Sequence, residues 1–107
     1  MDFWNYLVVL RPARIEMLTV GPTAEESRHV GEHFEYCSNL VASGKMLLAG
    51  RTVGTLSETI GILILHAESD EEVALIVSSD PAVSNGVMTA EVQPFRLALL
   101  GENPHNS

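Results

Sequence analysis

Two residues in this 107-residue sequence, His33 and Asp80, are the first candidates for chemistry. Imidazole is the side chain whose ordinary pKa lies near neutral pH. A carboxylate bonded to one ring nitrogen fixes its tautomer and leaves the other nitrogen ready to pass a proton. His33 stands in a helical run of apolar residues, where a polar ring without a partner forfeits about 1–3 kcal/mol. Asp80 opens the loop after a second helix expected on the same side of the sheet, and it is the natural partner. A plainer reading fits the same positions, with Asp80 capping a helix and His33 a satisfied core histidine. Spacing alone leaves both open. Arg11 and Arg51 are candidate anchors for an anionic small molecule, or else solvated cations.

Other chemistries find less support. His29 and His33 stand four apart, a spacing that can share a metal on one helix face, but neither an HExxH context nor a third ligand accompanies them. No metal is expected. Cys37, one turn beyond His33, reads as a small buried hydrophobe rather than an activated thiolate. His66 reads as a polar strand end. The sequence contains no GxGxxG, GxxxxGK[ST], GxSxG or paired CxxC pattern, so nucleotide binding, serine hydrolysis and structural zinc lack their usual signals, and no cofactor is expected.

The elements that would carry these residues alternate along the chain. Phe3 to Arg11 is apolar and β-prone and stops at Pro12, which predicts a first strand. Residues 13–22 show no period and close with Gly21-Pro22, a loop. Thr23 and Glu26 form a capping-box pattern. Val30, His33, Phe34, Cys37, Leu40 and Val41 then share one helix face, and the helix runs to about Ser43 before a Gly44 stop. Lys45 to Arg51 predicts a short strand, residues 52–58 a polar loop, and Thr59 to His66 a buried central strand. A second capping box, Ser69 with Glu72, opens a helix whose core side is Val73, Ala74, Ile76 and Val77, ending before Asp80-Pro81. After a turn at Asn85-Gly86, Val87 to Leu99 predicts a last strand, with Pro94 at an edge or bulge. The order β-α-β-β-α-β predicts an α+β ferredoxin-like domain, a four-stranded antiparallel sheet with two helices on one face. The domain is expected over residues 1–100, with a flexible tail at 101–107.

Both sheet faces read apolar: Trp4, Tyr6, Val8 and Leu10 oppose Leu7 and Val9 on the first strand, and Ile60, Ile62 and Ile64 oppose Leu63 and Leu65 on the third. Two helices cover one face only. Each large side chain left in water forfeits about 1.5–3 kcal/mol, so a homodimer through the second face is expected, with a heteromeric partner as the rival. Six Lys and Arg against fourteen Asp and Glu give a net charge of −8, which repels a phosphate backbone and argues against nucleic acid. No apolar run approaches a bilayer span, and the N-terminus lacks a signal-peptide pattern, so a cytoplasmic protein without a membrane segment is expected.

Particular residues resemble a known family. His33, Gly44 and Ala49-Gly50 are similar to the spaced H, G and AG of the YciI-like (YCII-related) family. Asp80-Pro81 and Gly86 resemble its DP and following G, and Leu10-Arg11-Pro12 and Val92-Gln93-Pro94-Phe95 its opening and closing strands. The resemblance implies a dimeric α/β barrel of ferredoxin-like topology and an active site carried here onto His33 and Asp80. It also implies likeness to muconolactone isomerase and chloromuconolactone dehalogenases, which work on small lactones without a cofactor. Where many members have Pro after AG and an aromatic after DP, this chain has Arg51 and Ala82. A non-catalytic module holding a small ligand in the same cleft is the alternative.

Overall fold

The computed structural model describes residues 5–54 and 58–102. Phe3 and Trp4 of the expected first strand, part of the expected 52–58 loop and the end of the expected tail lie outside them. The chain runs through β1 (Asn5–Pro12), α1 (Glu16–Thr19), α2 (Ala24–Ala42), β2 (Met46–Arg51), β3 (Gly61–His66), α3 (Asp70–Ser78), α4 (Pro81–Ser84) and β4 (Met88–Phe95). The four strands form one antiparallel sheet in the order β2-β3-β1-β4. That is the ferredoxin-like α+β topology expected from the order of elements, with β3 central and Pro94 on the edge strand β4. Among the described residues no helix is long and apolar enough to cross a membrane.

The long helix is built as its sequence suggests. The Thr23 hydroxyl accepts from the Glu26 N–H, and the Glu26 carboxylate accepts from the Thr23 N–H, closing a capping box. At the other end Gly44, with φ +81, lets its N–H reach the Val41 carbonyl while the Lys45 N–H reaches that of Leu40. These two bonds make a Schellman stop that turns the chain into β2. The second expected capping box is half formed: Ser69 accepts from the Glu72 N–H, but the Glu72 carboxylate accepts from the Glu68 N–H instead.

Two short helices replace expected loop and turn. α1 lies in residues 13–22, where Arg14 donates through Nε and Nη2 to both Glu26 carboxylate oxygens at 2.9 and 2.8 Å and fastens the segment to the start of α2. That side-chain hydrogen bond, helped by the Thr23 N–H, holds the Glu26 carboxyl down to about 2. α4 occupies the turn before Asn85-Gly86, because Asp80 caps its first residues and Pro81 presets its first φ. Gly86, with φ +72, closes it with a second Schellman pair and sends the chain into β4. The last strand ends at Phe95 rather than Leu99, and the third begins at Gly61 rather than Thr59.

Tyr6, Val8 and Leu10 of β1 and Leu63 and Leu65 of β3 are buried together with Met46, Cys37 and Val73, which places the core between sheet and helices. The Tyr6 hydroxyl donates to Asp70 at 2.7 Å and ties β1 to the start of α3. On the opposite face Leu7, Val9 and Ile62 are half-buried and Ile64 is buried. Their β4 neighbours Gln93 and Glu91 are polar, while Leu48 of β2, opposite Ile64, is apolar and exposed, so the second face is apolar over β1, β3 and part of β2. Two expected core contributors prove exposed: Phe34 at 73% and Val41 at 48% of α2, which face a cleft instead of packed side chains. Ala74 of α3 is also exposed.

Stability should follow this burial map. Leu65→Ala, at a fully buried site, is expected to cost about 2–5 kcal/mol in urea unfolding. Thr23→Ala should cost about 0.5–2 kcal/mol through the lost cap. Phe34→Ala should stay within about 0.5 kcal/mol of wild type; a loss matching that of Leu65→Ala would contradict the packing described.

Candidate functional site

Asp80 stands between α3 and α4, where the need to cap α4 fixes its side chain. Its Oδ1 accepts from the Ala82 N–H at 2.9 Å, and its own N–H donates to the Val77 carbonyl. This leaves Oδ2 facing α2, the helix packed beside α4. There it meets Nδ1 of His33 at 2.6 Å. The carboxylate is nearly solvent-free, with 4% of its side chain exposed, and the imidazole 15%. Asp80 thus caps a helix with one oxygen and holds His33 with the other, contacts compatible with either reading that spacing left open.

An ionised carboxylate only accepts, so the pairing assigns the proton to Nδ1 and leaves Nε2 as the ring nitrogen with no strong partner. Burial by itself would lower the pKa of His33. Burial is the largest single influence, yet the hydrogen bond to Asp80, the Cys37 sulfur and the charge of Asp80 together exceed it, and the pKa is pushed up to about 10. The raised pKa favours the imidazolium, which presents an Nε2 donor.

His33 borders a large open cleft of about 1180 Å³ between α1, α2 and the ends of β1, β2 and β3. Its walls are mainly apolar, from Val30, Phe34 and Val41 of α2, Met17 and Leu18 of α1, and Leu47 and Leu48 of β2, with Leu100 beside them. Arg11 and Arg51 also line it, so the structure brings three of the four expected site residues to one cleft and places Asp80 directly behind the third. Arg11 is engaged by Glu91 at 3.0 Å, whereas Arg51 is exposed and has no ion pair among the described residues. None of the described carboxylates lines the cleft. In a chain of net charge −8, a cleft bordered by His33, Arg11 and Arg51 is a favourable place for an anion.

The other described histidines, His29 and His66, stay apart from this site. His29 is buried, with Nδ1 on Glu32 at 2.8 Å and Nε2 3.7 Å from Glu25, so it does not share ligands with His33. His66 is half-buried at the end of β3. Cys37 is in the core, as its type suggested, and its Sγ also touches His33 at 3.8 Å from both ring nitrogens. His33, Cys37 and Asp80 thus hold three potential metal ligand atoms within 4.8 Å of one another. They do not converge on one point. A sulfur equidistant from Nδ1 and Nε2 lies off the lone-pair line of each, and Nδ1 already bonds Asp80, so a shared ion would require the cluster to rearrange.

Among cleft residues that sequence patterns did not single out are Ser27 and Ser38 of α2 and Met88 of β4. Tyr36, next to Cys37, donates to the Ile76 carbonyl at 2.6 Å and locks α2 onto α3. Its pKa is raised by burial first and then by Asp80 and Cys37. No pattern in the sequence flags that bond.

The raised pKa of His33 makes a signed prediction. A group whose pKa is higher folded than unfolded adds stability that is complete below its unfolded pKa, ordinarily about 6.5, and that fades as pH rises through the folded one. The contribution of His33 should therefore decline between about 6.5 and about 10. Unfolding free energies of wild type and Asp80→Asn, measured at intervals from pH 6 to 10, should converge with rising pH. A His33 ring whose proton resonances titrate near 6.5 in folded wild-type protein would refute this.

The comparisons agree with the geometry. The model of the YCII-related domain matches residues 6–96, from β1 to the residue after β4, and includes both His33 and Asp80. No curated protein matches the sequence. Among solved structures, 5-chloro-2-hydroxyhydroquinone dehydrochlorinase (TftG) from Burkholderia phenoliruptrix AC1100, in complex with 2,5-dihydroxybenzoquinone, is similar. It shares 26% identity with a TM-score of 0.58, over 95% of this chain and 99% of that one. With the family's pattern running through the whole sheet, this chain belongs to the YCII-related domain family.

Proposed function

We propose that this chain is an acid–base enzyme in which His33 passes a proton to and from a small substrate while Asp80 holds and charges its ring. The reaction class is isomerisation, elimination or dehalogenation of a small lactone or carboxylate. The observation that carries the reading is the 2.6 Å bond between His33 and a nearly solvent-free Asp80, at the edge of a cleft lined by no described carboxylate. Since the resting ring is protonated, His33 enters as the acid. Its Nε2–H donates to the oxygen or leaving group that gains negative charge, and the neutral imidazole that results takes a proton back. Over one turnover the proton count of the pair is unchanged, and Asp80 stays ionised throughout.

The similar dehydrochlorinase favours this class. Loss of hydrogen chloride moves one proton to a base and releases chloride with its bonding pair, a task one acid–base group can serve without a cofactor. Arg51 is the proposed anchor for the substrate's anionic group. Arg11 is the weaker candidate, because Glu91 already neutralises it.

The same reading includes a homodimer. Leu7, Val9 and Ile62 form a half-buried apolar row on the sheet face away from the helices, and a second copy of the same face is self-complementary to it.

Two measurements test these statements. Purified protein incubated with chlorinated hydroxyhydroquinones, small lactones and their open carboxylates should transform at least one of them, followed by chloride release or ultraviolet absorbance. His33→Ala and Asp80→Asn should each lower kcat/KM by about 10²–10⁴ while remaining folded, and Arg51→Ala should act mainly on KM. Full activity in either dyad variant rejects the mechanism, and a compound that raises the melting temperature but is never transformed marks a binding module instead. For assembly, sedimentation should give a dimer that Val9→Asp together with Ile62→Asp dissociates. A wild-type protein monomeric at every concentration rejects the sheet-face interface.

A further inference from the structure

The third member of the cluster, Cys37, has a place that its small size and burial do not by themselves explain. Helical spacing sets it one turn beyond His33, and side chains on a helix lean back over the preceding turn, so the sulfur meets the imidazole. Its position 3.8 Å from both Nδ1 and Nε2 puts it on the plane that bisects the two nitrogens. From there it lies on the hydrogen-bond axis of neither, so it packs against the ring instead of bonding one nitrogen. The contact cannot easily be relieved, because Cys37 is 5% exposed and surrounded by the core of the domain.

The bond to Asp80 fixes one point of the imidazole. Held at Nδ1 alone, the ring can still rock about that attachment, and the direction of Nε2 rocks with it. A second contact on the flank of the ring removes this freedom. We propose that Cys37 is the positioning residue of His33: its sulfur sets the plane of the imidazole and so aims Nε2 into the cleft. The consequence for turnover rests on the dyad reading above, whereas the effect on the ring does not.

The groups that face His33 are few. Asp80 approaches from the start of α4, Cys37 from the same helix, and Arg11 and Arg51 line the shared cleft from β1 and β2. His29, one turn earlier, is held by Glu32. Of these, Cys37 is the neighbour whose replacement leaves every charge in place.

The test compares Cys37→Ala, which empties the space beside the ring, with Cys37→Val, which keeps bulk there. In substrate-free protein the His33 ring resonances of Cys37→Ala should move and its titration midpoint should fall by about 0.2–1 unit, the size expected for one sulfur–ring contact. Cys37→Val should keep the resonances nearer wild type. With a substrate in hand, Cys37→Ala should lower kcat by about tenfold or more with KM little changed, because a misdirected donor weakens the transition state more than binding. Wild-type resonances and midpoint in Cys37→Ala overturn the proposal. If that variant does not fold, side-chain relaxation showing the wild-type His33 ring free to rock about its bond to Asp80 overturns it equally. Failure of the underlying dyad looks different: His33→Ala keeps its turnover while the ring in Cys37→Ala still shifts.

Discussion

A carboxylate has two oxygens, and Asp80 gives them to different elements. Oδ1 satisfies an N–H at the start of α4, and Oδ2 reaches across to the imidazole on α2. A helix start is a favourable place for negative charge, because its unpaired N–H groups point outward and its dipole is positive there. That helps hold a carboxylate with 4% of its side chain exposed in a fixed direction. The rest of the site depends on this arrangement. Remove the cap and Oδ2 has no reason to face α2; remove Oδ2 and the imidazole, left in a mostly apolar setting, would favour its neutral form.

Much of this was legible in the sequence, and for identifiable reasons. Apolar alternation at Tyr6, Val8 and Leu10, the capping pair Thr23 and Glu26, and the Gly44 stop are local signals, and each maps to one bond or one face in the structure. The pairing of His33 with Asp80 spans 47 residues, but an imidazole in an apolar helical stripe needs a partner and Asp80 opens the segment after the second long helix, which makes it a reasonable candidate. The two short helices were not legible. α1 depends on Arg14 reaching Glu26 twelve residues away, and α4 is a single turn too short to show a period.

Phe34 and Val41 show a deeper limit. Their spacing is that of a core stripe, and periodicity cannot tell a face that meets packed side chains from one that meets a cleft. Here the stripe divides: Cys37 goes to the core, while Phe34 and Val41 border open space beside Leu48. Apolar groups left uncovered are costly, and proteins that retain them generally use them to hold something. Under the function proposed above, the apolar wall would meet the body of a small organic anion and Arg51 its charge.

Charge completes the argument. The surface carries a large negative excess, yet the cleft is bordered by His33, Arg11 and Arg51 and by none of the described carboxylates. Asp80, the acid bonded to His33, lies behind the imidazole, and Glu91 is bonded to Arg11, so a ligand at His33 would meet the positive ring before the Asp80 carboxylate. The order matters for chemistry. A carboxylate bordering the cleft directly would repel an anion, whereas one screened by His33 keeps the ring charged and lets it attract the anion. On the proposed reading, the pair would draw a negative substrate toward the same nitrogen that gives it a proton, so that binding and proton transfer would follow from one placement of charge.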